Sequence, residues 1–304
     1  MKLNDKRLDH ARKCGFLDRI CNDPSWQDTF IGAYLSRYPN RTALLKNLAE
    51  ICGKFNSELQ WSDLTDSNLR RLVDRFTDGG VCPSSTRTYC AQLKAVMNTY
   101  KDDGLFPSKK YEDILTVKGQ PSQQVFLTDD EIRAITDYQP SNDNERYVRD
   151  VFLIECFTGC RHSDARKITA ENIQDGWLTY VSEKTHREST IPVHKMLPSI
   201  IEELSELDVT ISDAAFNDCI RRICRNCGIC EQVKLFQKGK EMIGEKWQFV
   251  ASHTGRRSIA SDLYLHGVDP HGISKILGHS GIAMTERYIC SKRELSQEAL
   301  SFFS

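Results

Sequence analysis

The sequence predicts a mainly helical protein with a small β-hairpin component, an α+β fold in two domains. Three observations carry this expectation. Amphipathic segments of helical period lie on both sides of a proline- and glycine-containing stretch, one pair of β-rich arms flanks the polar run "EKTHRES", and 304 residues suffice for two separate cores.

Residues 1–23 read as an N-terminal extension, and residues 24–104 as short helices with polar links. In "SSTRTYCAQLKAVMNTYKDDG", Tyr89, Leu93, Val96, Met97 and Tyr100 recur at helical spacing, Ser84 or Ser85 can cap the start, and Gly104 ends it. The stretch 105–126 has two prolines, a glycine and no sustained period, so it reads as a linker. A second domain, 127–291, begins where Thr128 and Glu131 stand at capping-box spacing. The helix through "NERYVRDVFLIECFTG" buries Val148, Val151, Phe152 and Cys156 and stops at Gly159, with Arg161 just beyond. "GWLTYVSEKTHRESTIPV" is a hairpin with Lys184 near its tip. A helix at about 197–207 and a cysteine-bearing helix follow. Two β-prone pieces, 233–236 and 246–250, then precede the helical segments "HTGRRSIASDLYLHG" and "DPHGISKILGH", and residues 292–304 form a tail.

Composition narrows the function classes. A formal net charge of −1 argues against nonspecific coating of nucleic acid but leaves DNA open, because local arrangement sets the field that a phosphate meets. No apolar stretch approaches the roughly 20 residues that cross a bilayer. The start, "MKLNDKRLDHARKCGF", carries charges where a signal peptide would be apolar, which points to a cytoplasmic protein. The twelve cysteines therefore read as thiols. Cys219, Cys224, Cys227 and Cys230 have ligand-like spacing, yet Phe216, Cys219, Ile220, Ile223, Cys224 and Cys227 share one side of a helical wheel, so core packing is expected there and no metal.

The chemistry gathers around Tyr288 in "ILGHSGIAMTERYI". A tyrosine hydroxyl, with a pKa of about 10, is a weak nucleophile at neutral pH and needs cations around the phosphate that it attacks. Arginine suits this task because its planar fork donates two hydrogen bonds to nonbridging oxygens. Such groups stand in "TGCRHSDARKI" (Arg161), "EKT" (Lys184), "SHTGRRSIAS" (His253 and Arg256) and "LGHS" (His279).

In this order, over about residues 128–291, these segments resemble the tyrosine recombinase, or phage integrase, family. The resemblance implies Arg161, Lys184, His253, Arg256, His279 and Tyr288 as the catalytic set, with Asp164 where a supporting glutamate is commoner, so that no catalytic position is missing. It also implies a helical, SAM-like core-binding domain over 24–104 and a mixed helical catalytic domain after it. The implied reaction is cleavage and rejoining of DNA through a 3'-phosphotyrosyl intermediate and a Holliday junction, without cofactor or metal. The implied partners are double-stranded DNA at paired core sites and three further copies in a tetrameric synapse, from a monomer or weak dimer in solution, with an accessory DNA-bending protein as a further candidate. The apolar tail residues Leu300, Phe302 and Phe303 suit docking on a neighbour. The style of "SHTGRRS" is similar to integrases of Bacteroidetes mobile elements, whereas the short N-terminal piece is closer to a simple Xer-like recombinase.

For DNA binding, Thr86, Arg87 and Lys94 can enter the major groove from one helix, and Lys109, Lys110, Arg187 and Arg257 can meet phosphates. Two other readings stay open: a type IB topoisomerase, which would relax plasmids as a monomer, and a noncatalytic DNA-binding protein.

Overall fold

The computed structural model describes residues 29–39, 41–119, 122–279 and 281–289. The N-terminal extension and the tail with Leu300, Phe302 and Phe303 lie outside them. The chain divides into two units, Met1–Pro121 with Lys238–Lys240, and Ser122–Gln237 with Glu241–Ser304. Among the described residues no helix is long and apolar enough to cross a membrane.

The first unit holds helices α1 (Phe30–Arg37), α2 (Ala43–Cys52), α3 (Asp66–Asp78), α4 (Pro83–Thr99) and α5 (Tyr111–Ile114). Their apolar stripes meet in one core, with Phe30, Tyr34, Leu45, Leu72, Phe76, Leu93 and Met97 buried. α3 is capped by Thr65, whose hydroxyl accepts from the Asn68 amide at 3.1 Å. α4 starts one residue before the serines expected to cap it: Pro83 takes the first helical position, where its missing N–H costs nothing, and Cys82 is the cap. α5 lies inside the stretch that reads as a linker, and Tyr111 and Leu115 are buried in the first unit's core.

The second unit is built on α7 (Asp143–Thr158), against which α6 (Asp129–Asp137), α8 (His162–Ala165), α9 (Leu197–Ser205), α10 (Asp213–Asn226) and α11 (Ser252–Leu265) all pack. α12 (Pro270–Ile276) and α13 (Ile282–Glu286) complete it. The capping box at the start of α6 is formed, Thr128 accepting from the Glu131 amide and Glu131 accepting from the Thr128 amide at 2.8 Å. On α10, Phe216, Cys219, Ile220, Ile223 and Cys224 are buried, so these thiols pack in the core, and burial pushes the Cys224 thiol up. Cys227 is half-buried, its pKa pushed up to about 11, and Cys230 is exposed.

Strands β1 (Ile173–Gln174), β2 (Trp177–Val181) and β3 (Glu188–Pro192) form an antiparallel sheet in that order, with Leu178 opposite Ile191 and Tyr180 opposite Ser189 on the buried face. β4 (Gln232–Gln237) and β5 (Lys240–Glu245) form a second sheet. The β-prone reading of 246–250 fails here. Lys238 and Gly239 both take positive φ, 53° and 80°, which makes a tight hairpin turn and starts the return strand at Lys240. Residues Lys246–Phe249 then form a 3-10 turn, in which the buried Lys246 ammonium lies 2.6 Å from the Glu131 carboxylate.

Candidate active site

The site forms where α7 ends, α11 begins and α12 gives way to α13. Gly159 ends α7 with φ at 67°, a left-handed conformation that suits glycine. The position is also crowded, since a Cβ would lie 2.6 Å from Leu277 Cδ2. The chain then turns into α8, with Arg161 as its N-cap residue.

Arg161 Nη1 donates to Ser182 Oγ at 2.8 Å, and Ser182 Oγ donates in turn to Asp164 Oδ2 at 2.9 Å. The other oxygen of buried Asp164 accepts from the Glu183 amide at 3.0 Å. Asp164 thus ties the arginine turn to the start of the β2–β3 loop. Lys184, exposed in that loop, follows immediately. Bonds from the His186 amide to the Ser182 carbonyl and from the Ser182 amide to the Arg187 carbonyl close the loop, at 2.8 and 2.9 Å.

Arg256 and His253 stand one turn apart at the start of α11. Arg256 is fully buried; Nη1 donates to the Gly159 carbonyl, Nη2 donates to the Leu277 carbonyl at 2.6 Å, and Nε has no partner. Burial, then the Arg161 charge, holds its pKa below the usual guanidinium value. His253 is also held below the usual imidazole value, first by loss of water on its inner side and then by the charges of Arg257, Arg256, Lys184 and Arg161. Those four cations therefore act on one imidazole.

His279 follows the left-handed Gly278, and its Nδ1 lies 2.9 Å from the hydroxyl of buried Thr285. Burial and the Arg256 and Arg161 charges push its pKa down to about 4, so the ring is neutral at neutral pH. Tyr288 comes just after α13. Its ring centroid lies 4.9 Å from the His279 ring, 5.4 Å from the Arg256 guanidinium carbon and 5.6 Å from that of Arg257.

Arg161, His253, Arg256, His279 and Tyr288 are thus brought together, with Lys184 acting on the group through its charge and Asp164 supporting it. The residues expected to bind DNA separate. Thr86 is only 2% exposed, sealed in the first unit's core, so it cannot reach a base edge. Lys94 is also engaged, its ammonium donating to the Glu112 carbonyl at 2.8 Å and to Thr116 Oγ1 at 2.9 Å. Arg87, Lys109 and Lys110 of the first unit and Arg187 of the second are exposed. Arg257 lies at the site itself: it stands beside Tyr288, donates to Gln124 Oε1 at 3.1 Å, and has a buried Nε without a hydrogen-bond partner.

Ser182 and Thr285, which link the catalytic candidates, carry no local motif that would have found them. Among the described residues, Asp129 on α6, Asp262 on α11 and His266 just past the end of α11 bring possible metal-ligand atoms within 4.8 Å of one another; the set includes none of the cysteines.

Residues 125–294 match the model of the phage integrase family, more than half of the chain. The chain belongs to the phage integrase family. It is accordingly an enzyme of the tyrosine recombinase class, which acts in site-specific DNA recombination. It is similar to the integrase of Haemophilus phage HP1, 26% identical over 267 residues that cover 84% of this chain and 72% of the relative. It is also similar to the tyrosine recombinase XerC of Rickettsia bellii, 23% identical, covering 84% and 88% of the two chains. Lambda integrase residues 75–356, solved as a dimer on a core site, share the fold with a TM-score of 0.58 at 18% identity, over 87% of this chain and 97% of that one. The Tn1549 transposon integrase, solved with a circular intermediate DNA, shares it with a TM-score of 0.60 at 13% identity, covering 90% and 98%.

Proposed function

We propose that Tyr288 of this recombinase attacks a DNA phosphorus in line, with double-stranded DNA at paired core sites as substrate. The Tyr288 oxygen bonds to phosphorus, the bond to the 5' oxygen breaks, and the 3' phosphate stays on the tyrosine. His253 assists removal of the tyrosine proton, and Lys184 gives a proton to the departing 5' oxygen. The 5' hydroxyl of another strand reverses these steps, so the phosphodiester energy is conserved and strand exchange needs no external energy source.

The observation that carries this reading is the convergence of cations on the nucleophile: the guanidinium carbons of Arg256 and Arg257 lie 5.4 and 5.6 Å from the Tyr288 ring centroid, and the charges of Arg257, Arg256, Lys184 and Arg161 all act on His253. Cations gathered around one tyrosine favour a phosphate there, because it brings acceptor oxygens together with negative charge. Arg161 completes the clamp. The Thr285 hydroxyl lies 2.9 Å from Nδ1 of neutral His279, and in the tautomer whose Nδ1 accepts from it the ring proton sits on Nε2, which donates to a further phosphate oxygen. Preorganised charge and donors of this kind usually lower the barrier more than any other single effect in such catalysis. Arg87, Lys109, Lys110 and Arg187 meet the DNA backbone outside the cleavage point.

Lambda integrase has been solved as a dimer on a core site and as a tetramer on a Holliday junction, and the same assembly suits paired sites here. Two labelled duplexes carrying a site selected for binding by this chain should yield hybrid products and a four-way intermediate. Relaxation of supercoiled plasmid by a monomer, without hybrid products, would favour the topoisomerase reading instead.

A further inference from the structure

Behind the cationic pocket, Glu155 and His162 form a buried pair that the strand-transfer steps do not use. Glu155 is fully enclosed on α7 and faces Gly255 of α11, where a Cβ would come within 2.9 Å of Glu155 Cβ. Glu155 Oε1 lies 2.6 Å from His162 Nδ1, while Glu155 Oε2 and His162 Nε2 have no hydrogen-bond partner. The Phe216 ring of α10 packs edge-on against the imidazole at 4.3 Å. The charged groups facing Glu155 are Arg166 and Arg256; those facing His162 are Arg166, Asp213 of α10 and His253 of α11. None of these cations donates a hydrogen bond to Glu155.

The pair matters because of what precedes it in the chain. Arg161 is the N-cap residue of α8, a helix of four residues, too short to hold a direction by itself. Two tethers set that turn: Asp164 binds the β2–β3 loop, and His162 binds α7 through Glu155. A carboxylate enclosed with one hydrogen bond is costly in ionised form, whereas a protonated carboxyl can donate to Nδ1 and leave no charge behind.

We propose that Glu155 and His162 are positioning residues: one proton, on the hydrogen bond from the Glu155 carboxyl to His162 Nδ1 in a pair of zero net charge, fixes the turn that aims Arg161 at the phosphate. This rests on the assignment of Arg161 as a phosphate clamp. Burial agrees with it, holding Glu155 well above the usual carboxylate range and, with the Arg166 charge next, pushing His162 down to about 4. If Glu155 ionised, its charge would draw on the Arg256 guanidinium, which the phosphate needs.

Two measurements test the pair. In DNA-free protein with carbon-13-labelled glutamate carboxyls, the Glu155 signal, assigned by its loss in Glu155→Gln, should be that of a protonated carboxyl at neutral pH; an ionised signal overturns the proposal. In single-turnover cleavage, Glu155→Leu removes the bond to His162 and leaves Nδ1 unmatched; at a temperature where denaturant unfolding shows the variant folded, it should bind DNA as the native chain does while cleavage slows about tenfold or more. That deficit should vanish when the scissile phosphate is a methylphosphonate, which has no charged nonbridging oxygen pair for Arg161 to neutralise. Glu155→Gln, whose amide can still donate to Nδ1, should cleave near the native rate. Native cleavage by Glu155→Leu, equal loss in Glu155→Gln, or a deficit unchanged on methylphosphonate would each defeat the proposal. The carboxyl signal needs no DNA, so absence of any adduct from the native chain counts against the nucleophile assignment, and an ionised Glu155 counts against the pair.

Discussion

The Tyr288 ring lies over Arg256, its centroid 5.4 Å from a guanidinium carbon that is fully buried and whose fork donates to the carbonyls of Gly159 and Leu277. One cation thus joins the end of α7, the end of α12 and the nucleophile. The strand-cleavage chemistry must then separate into groups that neutralise the phosphate and groups that move protons.

That separation is measurable at Lys184. Lys184→Ala should slow cleavage of ordinary DNA by about a hundredfold to ten-thousandfold, the usual range for a positioned proton donor. A 5'-bridging sulfur leaves as a thiolate that hardly needs a proton, so the variant should cleave that substrate nearly as fast as the unmodified enzyme. Arg161→Ala should stay slow on both substrates. No rescue of Lys184→Ala by sulfur, with chemistry limiting the rate, would remove Lys184 as the acid and move attention to His253.

Asp164 should couple stability to activity. It accepts from Ser182 Oγ and the Glu183 amide while buried, so Asp164→Ala leaves two donors unmatched and should cost about 1–3 kcal/mol in denaturant unfolding. Cleavage should fall as well, because both the Arg161 contact and the Lys184 loop hang on that carboxylate. Unchanged stability with unchanged cleavage would show that Asp164 anchors neither.

How far these relationships were legible depended on their range in sequence. The α6 capping box, the α7 stop at Gly159 and the core face of α10 rest on residues at most a few turns apart, and their spacing gave them away. Thr86 was legible too: it stands at i, i+4, i+7 and i+11 with Cys90, Leu93 and Met97, a core stripe, and its assignment to DNA neglected that phase. The start of β5 depended on backbone conformation at Lys238 and Gly239, which propensity in 246–250 does not report. Ser182 lies 18 residues from Asp164 and 21 from Arg161, so only the folded chain reveals that it links them. Likewise, Arg257 differs from a surface arginine only through the position of Tyr288.

The depressed His279 pKa gives a pH dependence of definite sign. Between about pH 6.5, the ordinary imidazole value, and about pH 4, the unfolded chain takes up a proton at His279 that the folded chain refuses. The folded state is therefore favoured above that window, and stability contributed by His279 is lost as pH falls through it. His279→Gln should flatten this part of the stability curve, measured by denaturant unfolding. A variant curve as steep as the native one would place the titration elsewhere, with His162 the first alternative.

The central claim, that Tyr288 carries the DNA, is tested most directly by trapping the covalent intermediate on a nicked duplex, digesting the protein and locating the nucleotide by mass spectrometry. The nucleotide should sit on the peptide containing Tyr288, and Tyr288→Phe, which keeps the ring over Arg256, should bind the duplex but form no denaturant-resistant adduct. A nucleotide mapped to any other residue, or an adduct that survives Tyr288→Phe, would contradict the account.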